Sequence, residues 1–144
     1  MSSSVPARRP VTDGLVAMLA AVTSRPVGDG DAQWTDADLP YLVVEQLPGG
    51  LPGGDVSHPL GMAEVVWQVT AVGRVRKSAE VCMDAARSAI LDKDPDGDWS
   101  NDIPALPTVV FGRWWDSDAG LIVDGPVVNL SERFRLSIMP SPLP

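Results

Sequence analysis

Hydrophobic and polar positions alternate most regularly over residues 63–76, AEVVWQVTAVGRVR, where Val65, Trp67, Val69, Ala71 and Val75 share one face and Gln68, Thr70, Arg74 and Arg76 the other. A period of two marks a strand with one covered face. Val66 and Val72 add apolar area to the second face, which predicts that a helix or another copy of the chain partly covers it too. After the hinge Lys77-Ser78 the spacing becomes helical, with Ser78 as N-cap and Glu80 in the first turn, where the helix dipole favours an acid. Ala79, Ala85, Ala86, Ser88 and Ala89 let this helix approach the sheet closely, and Val81, Cys82, Ile90 and Leu91 fill the remaining space.

Upstream, residues 1–10, MSSSVPARRP, lack apolar periodicity and read as a flexible N-terminal arm. Thr12 or Asp13 caps a first helix whose stripe is Leu15, Met18, Leu19 and Val22, ended by Arg25 and Pro26. Residues 27–39, with Trp34 as their large apolar anchor, read as an acidic loop. YLVVEQL, bounded by Pro40 and Pro48, is a strand. It joins the next strand through PGGLPGGDVSHPLG, fourteen residues where hairpin loops usually have about two to five, so a projecting finger is expected. Downstream, strands are predicted over 108–115, 120–124 and 127–139, the last interrupted near Asn129; in it Phe134, Leu136 and Ile138 alternate with Arg133, Arg135 and Ser137. The predicted fold is α+β: a single mostly antiparallel sheet of four to five strands packed under two helices, with a long hairpin finger. Residues 11–139 form one domain, 1–10 the arm and 140–144 a C-terminal tail.

The 144 residues suit one domain, enough to bury roughly 70% of the surface of the unfolded chain. A formal charge of −8, from 19 acids against 11 bases, argues against binding a phosphate backbone, which needs clustered Lys and Arg. The single cysteine, Cys82, excludes a disulfide within the chain and suits a reducing compartment. Arg8 and Arg9 ahead of the apolar run 15–22 have the outline of a signal peptide, but Asp13 at its boundary and the lack of an AxA-like site fit an amphipathic helix better. No segment reaches the roughly 18 apolar residues of a membrane span.

Asp92, Asp94, Asp96, Gly97 and Asp98 begin like an EF-hand calcium loop, yet the closing position is Ile103 and not Glu, and Pro104 and Pro107 prevent the following helix. A solvated acidic turn is the better reading. His58, the only histidine, sits beside Ser57 with no GxSxG elbow in the chain, and Cys82 lies among alanines without a cationic neighbour in sequence. Gly49, Gly50, Gly53 and Gly54 precede Asp55, not the Gly-Lys of a phosphate-binding loop. One histidine and one cysteine leave zinc without a ligand set in one chain. No catalysis, cofactor or metal is therefore expected. Trp114 and Trp115 are adjacent in a strand, so one of them points away from the core, under a helix or at an interface.

The strand EVVWQVTAVGR, the hinge KS, the helix AEVCMDAARSAIL and the closing strand SERFRLSI together resemble the tail terminator proteins of long-tailed, siphovirus-type bacteriophages. The likeness is strongest over residues 11–47 and 63–91. It implies a structural virion protein that forms a ring, hexameric by family precedent, capping the tail tube, ending its polymerisation and joining the tail to the neck and head. The implied partners are further copies of the chain, the tail tube protein and a head-to-tail connector or stopper; DNA passes through the lumen without specific binding, and no membrane is involved. The implied location is the tail-neck junction of a virion assembled in the host cytoplasm. Leu51 and His58 in the finger, Trp99 in the acidic loop, Trp114 and Trp115 are the residues expected at partner interfaces. Another neck component, a stopper or minor tail protein, is the nearest alternative, and a calcium- or ligand-binding module a remoter one.

Overall fold

The computed structural model describes residues 6–30, 38–48, 51–52 (backbone alone) and 61–142. In chain order the elements are α1 (Arg9–Thr23), β1 (Val27–Asp29), β2 (Tyr41–Gln46), β3 (Leu51–Pro52), β4 (Ala63–Gly73), α2 (Arg76–Leu91), β5 (Thr108–Asp124) and β6 (Val127–Pro140). They form a six-stranded sheet of order β1-β2-β4-β6-β5, with β3 pairing β4 on the same flank as β2. The α+β class is as expected, but the sheet is mixed: β1 runs parallel to β2, while the other pairings are antiparallel. β1 falls in the segment read as a loop; three residues carry too little periodicity to stand out, and pairing with the buried strand β2 makes them a strand.

The core lies between one sheet face and the two helices. Val65, Trp67, Val69 and Ala71 of β4 stand opposite Leu136, Phe134, Glu132 and Leu130 of β6, and Leu42 and Val44 of β2 continue the layer. Val11, Leu15 and Leu19 from α1 and Ala79, Met83, Ala86 and Ile90 from α2 close it from above. Trp67 is fully buried at the centre, and its indole Nε1–H donates to Thr12 Oγ1 at 2.9 Å. Thr12 is therefore no cap: α1 begins at Arg9, with Pro10 in its first turn, where a missing N–H costs nothing. Part of the expected arm is thus ordered, since Arg9 and Pro10 belong to α1 and the Ala7 carbonyl accepts from Thr108 Oγ1 at 2.6 Å.

No helix among the described residues covers the second face, so a helix over Val66 and Val72 is ruled out there. Val66 is half-buried and Val72 buried between their cross-strand neighbours, Arg135 for the first and Tyr41 and Asn129 for the second. Val75 does not belong to the strand face: β4 stops at Gly73, and Val75 is the extended N-cap of α2, 58% exposed. Ser78, expected at the N-cap, sits three residues into the helix, where its hydroxyl donates to the Val75 carbonyl at 2.9 Å. Gly73 permits the sharp turn, because a Cβ there would meet Ser78 Oγ at 2.5 Å.

The two strands predicted over 108–124 are one, β5, whose register shifts at Phe111, Asp116 and Ala119 mark three bulges. β6 is unbroken at Asn129. The β5–β6 hairpin turns on Gly125, with φ 59°, and Pro126, a pairing suited to a two-residue turn that requires a left-handed first residue. The finger retains its stem, since β2 and β3 both pair β4, but residues 53–60 lie outside the described ones.

Candidate interaction surfaces

β5 is an edge strand and lies beyond the cover of α2, so several large side chains on it stay in water. Phe111, Trp114 and Trp115 are each about half exposed. The register puts Trp115 opposite Phe134 on the helix-bearing face and Trp114 opposite Arg135 on the open face. The two rings do point to opposite sides, but neither is core. Trp114 folds along the strand over Gly112, where a Cβ would come within 2.6 Å of its ring. Trp115 donates its indole N–H to Glu132 Oε1 at 2.9 Å.

Just before the two rings, Arg113, opposite Leu136, turns inward and is buried. Its Nη1–H donates to the Ile90 carbonyl at 3.1 Å, satisfying an orphan acceptor in the last turn of α2. The guanidinium lies 4.8 Å from the centroid of Trp99, and Lys93 Nζ lies 4.5 Å from the same centroid. Burial pulls the Arg113 pKa down, opposed by the charge of Asp102. Trp99, Phe111, Trp114 and Trp115, with Leu91 and Lys93, thus line one open groove of about 500 Å³.

The acidic segment behind Trp99 is a tight turn. The Asp94 N–H donates to the Asp98 carbonyl at 2.7 Å, the Gly97 N–H to the Asp94 carbonyl at 2.8 Å, and Ser100 Oγ to Asp94 Oδ1 at 3.0 Å. Its carboxylates do not converge: among the described residues no group of three or more His, Cys, Asp or Glu side chains gathers as metal ligands would.

Glu132 connects this groove to α2. Its carboxylate, nearly buried, accepts from both Arg87 Nε, at 2.8 Å, and Arg87 Nη2, as well as from Trp115. The two-pronged contact holds the Arg87 pKa above its ordinary value, chiefly through the hydrogen bonds to Glu132. Arg87→Met is expected to lower stability by about 2 kcal/mol, below the ~3–5 kcal/mol of a fully buried pair because the arginine is itself partly in water. Urea denaturation checks this, and an unchanged midpoint would show that Glu132 does not depend on Arg87.

A second surface lies where α1 ends and α2 begins. Pro40, Val75, Val81 and Cys82 wall an apolar recess of about 420 Å³ with Arg25 and Lys77 at its margin. Val81, read as core filling, is 58% exposed, and Val22, read as part of the α1 stripe, is 46% exposed. Cys82 is buried, as expected of a packed hydrophobe, and its desolvation raises the thiol pKa.

Of the residues expected at interfaces, Trp99, Trp114 and Trp115 come together at the groove. The side chain of Leu51, in β3, and the whole of His58 lie outside the described residues. Sequence reasoning missed Phe111 and the recess. Phe111 sits on a bulge, which no alternation rule anticipates, and the recess needs residues from three separate segments. No helix among the described residues is long and apolar enough to cross a membrane.

No protein-family model matches the chain, and no curated protein matches it either. Among solved structures, it is similar over 90% of its length, and 91% of the other, to a chain in the virion of a native gene transfer agent (GTA) particle, at 16% identity and a TM-score of 0.56. A second solved protein aligns over 90% of this chain and 92% of its own at 18% identity, with a TM-score of 0.47. At these identities the first likeness establishes a shared fold.

Proposed function

We propose that the chain is a structural protein of a phage-like virion and, within that class, a tail terminator: a ring of copies that caps the tail tube, ends its polymerisation and joins the tail to the neck. The observation that carries this reading is the fold likeness to a chain of a virion, which spans 90% of this chain. Three features accord with it. The half-exposed aromatics of β5 have the character of interface anchors. The recess beside α2 offers a second apolar patch away from them. The net charge of −8 suits a lumen along which DNA slides without sticking.

The test is assembly. Purified protein, sized by light scattering and imaged with polymerising tail tubes, is expected to form closed rings and to sit at one tube end, halting elongation there. Protein that stays monomeric while the tubes grow past bare ends would reject the reading. A saturable, stoichiometric response to calcium would favour a binding module in its place.

A further inference from the structure

We propose that the aromatic groove on β5 and the apolar recess between α1 and α2 are the two halves of one contact, so that the groove of one copy seats in the recess of the next. The inference specifies the copy-to-copy contact that a ring requires, and to that extent rests on the terminator reading.

The placement of the two surfaces comes first. The recess draws on residues 75–85 at the start of α2 and on Pro40, just before β2; the groove begins at Leu91, where α2 ends, and continues onto β5. Measured along α2, the far wall of the recess at Val75 lies roughly 24 Å from Leu91 and the near wall at Ala85 roughly 9 Å, at about 1.5 Å per residue. β5 is moreover the far edge of the sheet from β1 and β2. Two different patches at opposite sides join copies head to tail, and such a contact closes into a ring when its rotation permits.

The mode of contact follows from the edge itself. Three bulges within β5, and the acids Asp116 and Asp118 on it, interrupt the unpaired backbone groups that a neighbouring strand would need. Docking therefore uses side chains and not strand addition. Trp115 is committed to Glu132, whereas Trp114 and Phe111 stand half exposed on the rim. Trp114 is the knob: an open-sided apolar recess of about 420 Å³ accepts one large aromatic ring, and a tryptophan in a pocket is the usual anchor of an interface.

Charge then sets the pairing. The turn carrying Trp99 presents Asp96 and Asp98, both exposed and in no ion pair among the described residues. At the margin of the recess stand Arg25 and Lys77, exposed and likewise in no ion pair among the described residues. Within the groove Lys93 and Arg113 are held over the Trp99 ring, so the acidic charge lies on the turn beside it; that turn facing the basic recess margin orients the contact and penalises turn against turn.

The experiment uses the full chain and three variants: Trp114→Ala, Arg25→Glu with Lys77→Glu, and Asp96→Lys with Asp98→Lys. Circular dichroism establishes that each folds, and light scattering reads association against concentration. Each variant alone is expected to associate at least about tenfold more weakly than the parent. Mixing the two charge-reversed proteins is expected to restore association to within about twofold of the parent, because each presents the margin that the other lacks and the copies alternate. If the parent assembles while the variants assemble equally well, or the mixture gains nothing, the contact lies elsewhere and the terminator reading stands. If the parent itself never assembles and never meets a tube end, that reading falls, and this contact with it.

Discussion

Replacing Trp67 with alanine is expected to destabilise the protein by about 4 kcal/mol, a large part of the roughly 5–15 kcal/mol that holds a domain together. Trp67 is fully buried, and its cross-strand partners, Gln46 on β2 and Phe134 on β6, enclose it from both sides. Truncation removes the largest fully buried side chain among the described residues and leaves a void that the sheet is too rigid to close. It also strips the hydroxyl of Thr12 of its donor. Trp67→Phe separates the two losses, since it keeps an aromatic ring yet orphans Thr12, and about 1–3 kcal/mol is expected from the unmatched polar group and the smaller ring. Adding Thr12→Val to Trp67→Phe should recover part of that loss, because replacing both partners by apolar groups is nearly neutral. Chemical denaturation of the parent, Trp67→Phe, Thr12→Val and the double variant reads these differences. Additive effects of the two substitutions would show that the hydrogen bond joining α1 to β4 is worth nothing.

Gly14→Ala is expected to cost about 2 kcal/mol, against the usual rule. Within a helix, alanine normally exceeds glycine by about 0.5–1 kcal/mol. Here a Cβ would come within 2.3 Å of the Pro104 carbonyl oxygen, 2.9 Å of its carbon and 3.1 Å of Ile103 Cγ2. Two of those atoms are backbone, in the segment that leads into β5, so neither can move aside as a side-chain tip would. Relief requires α1 to lift from the segment below, which is the situation of an overpacked core. Thermal unfolding decides the sign: a melting temperature above that of the parent would mean that α1 does not press on residues 103–104.

Much of the fold was legible because its signal is periodic. The alternation of Val65, Trp67, Val69 and Ala71 and the alanines of α2 specify a strand turning into a helix on one covered face, and that is where they lie. The errors gather where a local cue competes with tertiary context. Thr12 has the chemistry of a cap, but the indole of Trp67, fifty-five residues away, claims its oxygen inside the helix. Ser78 has it too, yet α2 starts two residues earlier at Arg76 and the hydroxyl serves the turn from within. Asp116 and Ala119 look like a gap between strands because bulges break the period of two without ending the strand. For the surfaces, the parity of Trp114 and Trp115 was readable from their adjacency alone. That Trp99 would line the same groove was not, since its contact with the inward-turned Arg113 joins residues from two separate segments.

The manner in which the tryptophans are held has a further consequence. The Trp99 indole is engaged by two cations, and Trp115 is tethered through Glu132 to Arg87 on α2. Their rotational freedom is surrendered when the chain folds, before any neighbour arrives. A side chain immobilised only at docking would subtract about 0.5–1.5 kcal/mol from affinity. On the proposed copy-to-copy contact, two of the three groove indoles would therefore already be in place, and the ordering cost would fall on Trp114 alone.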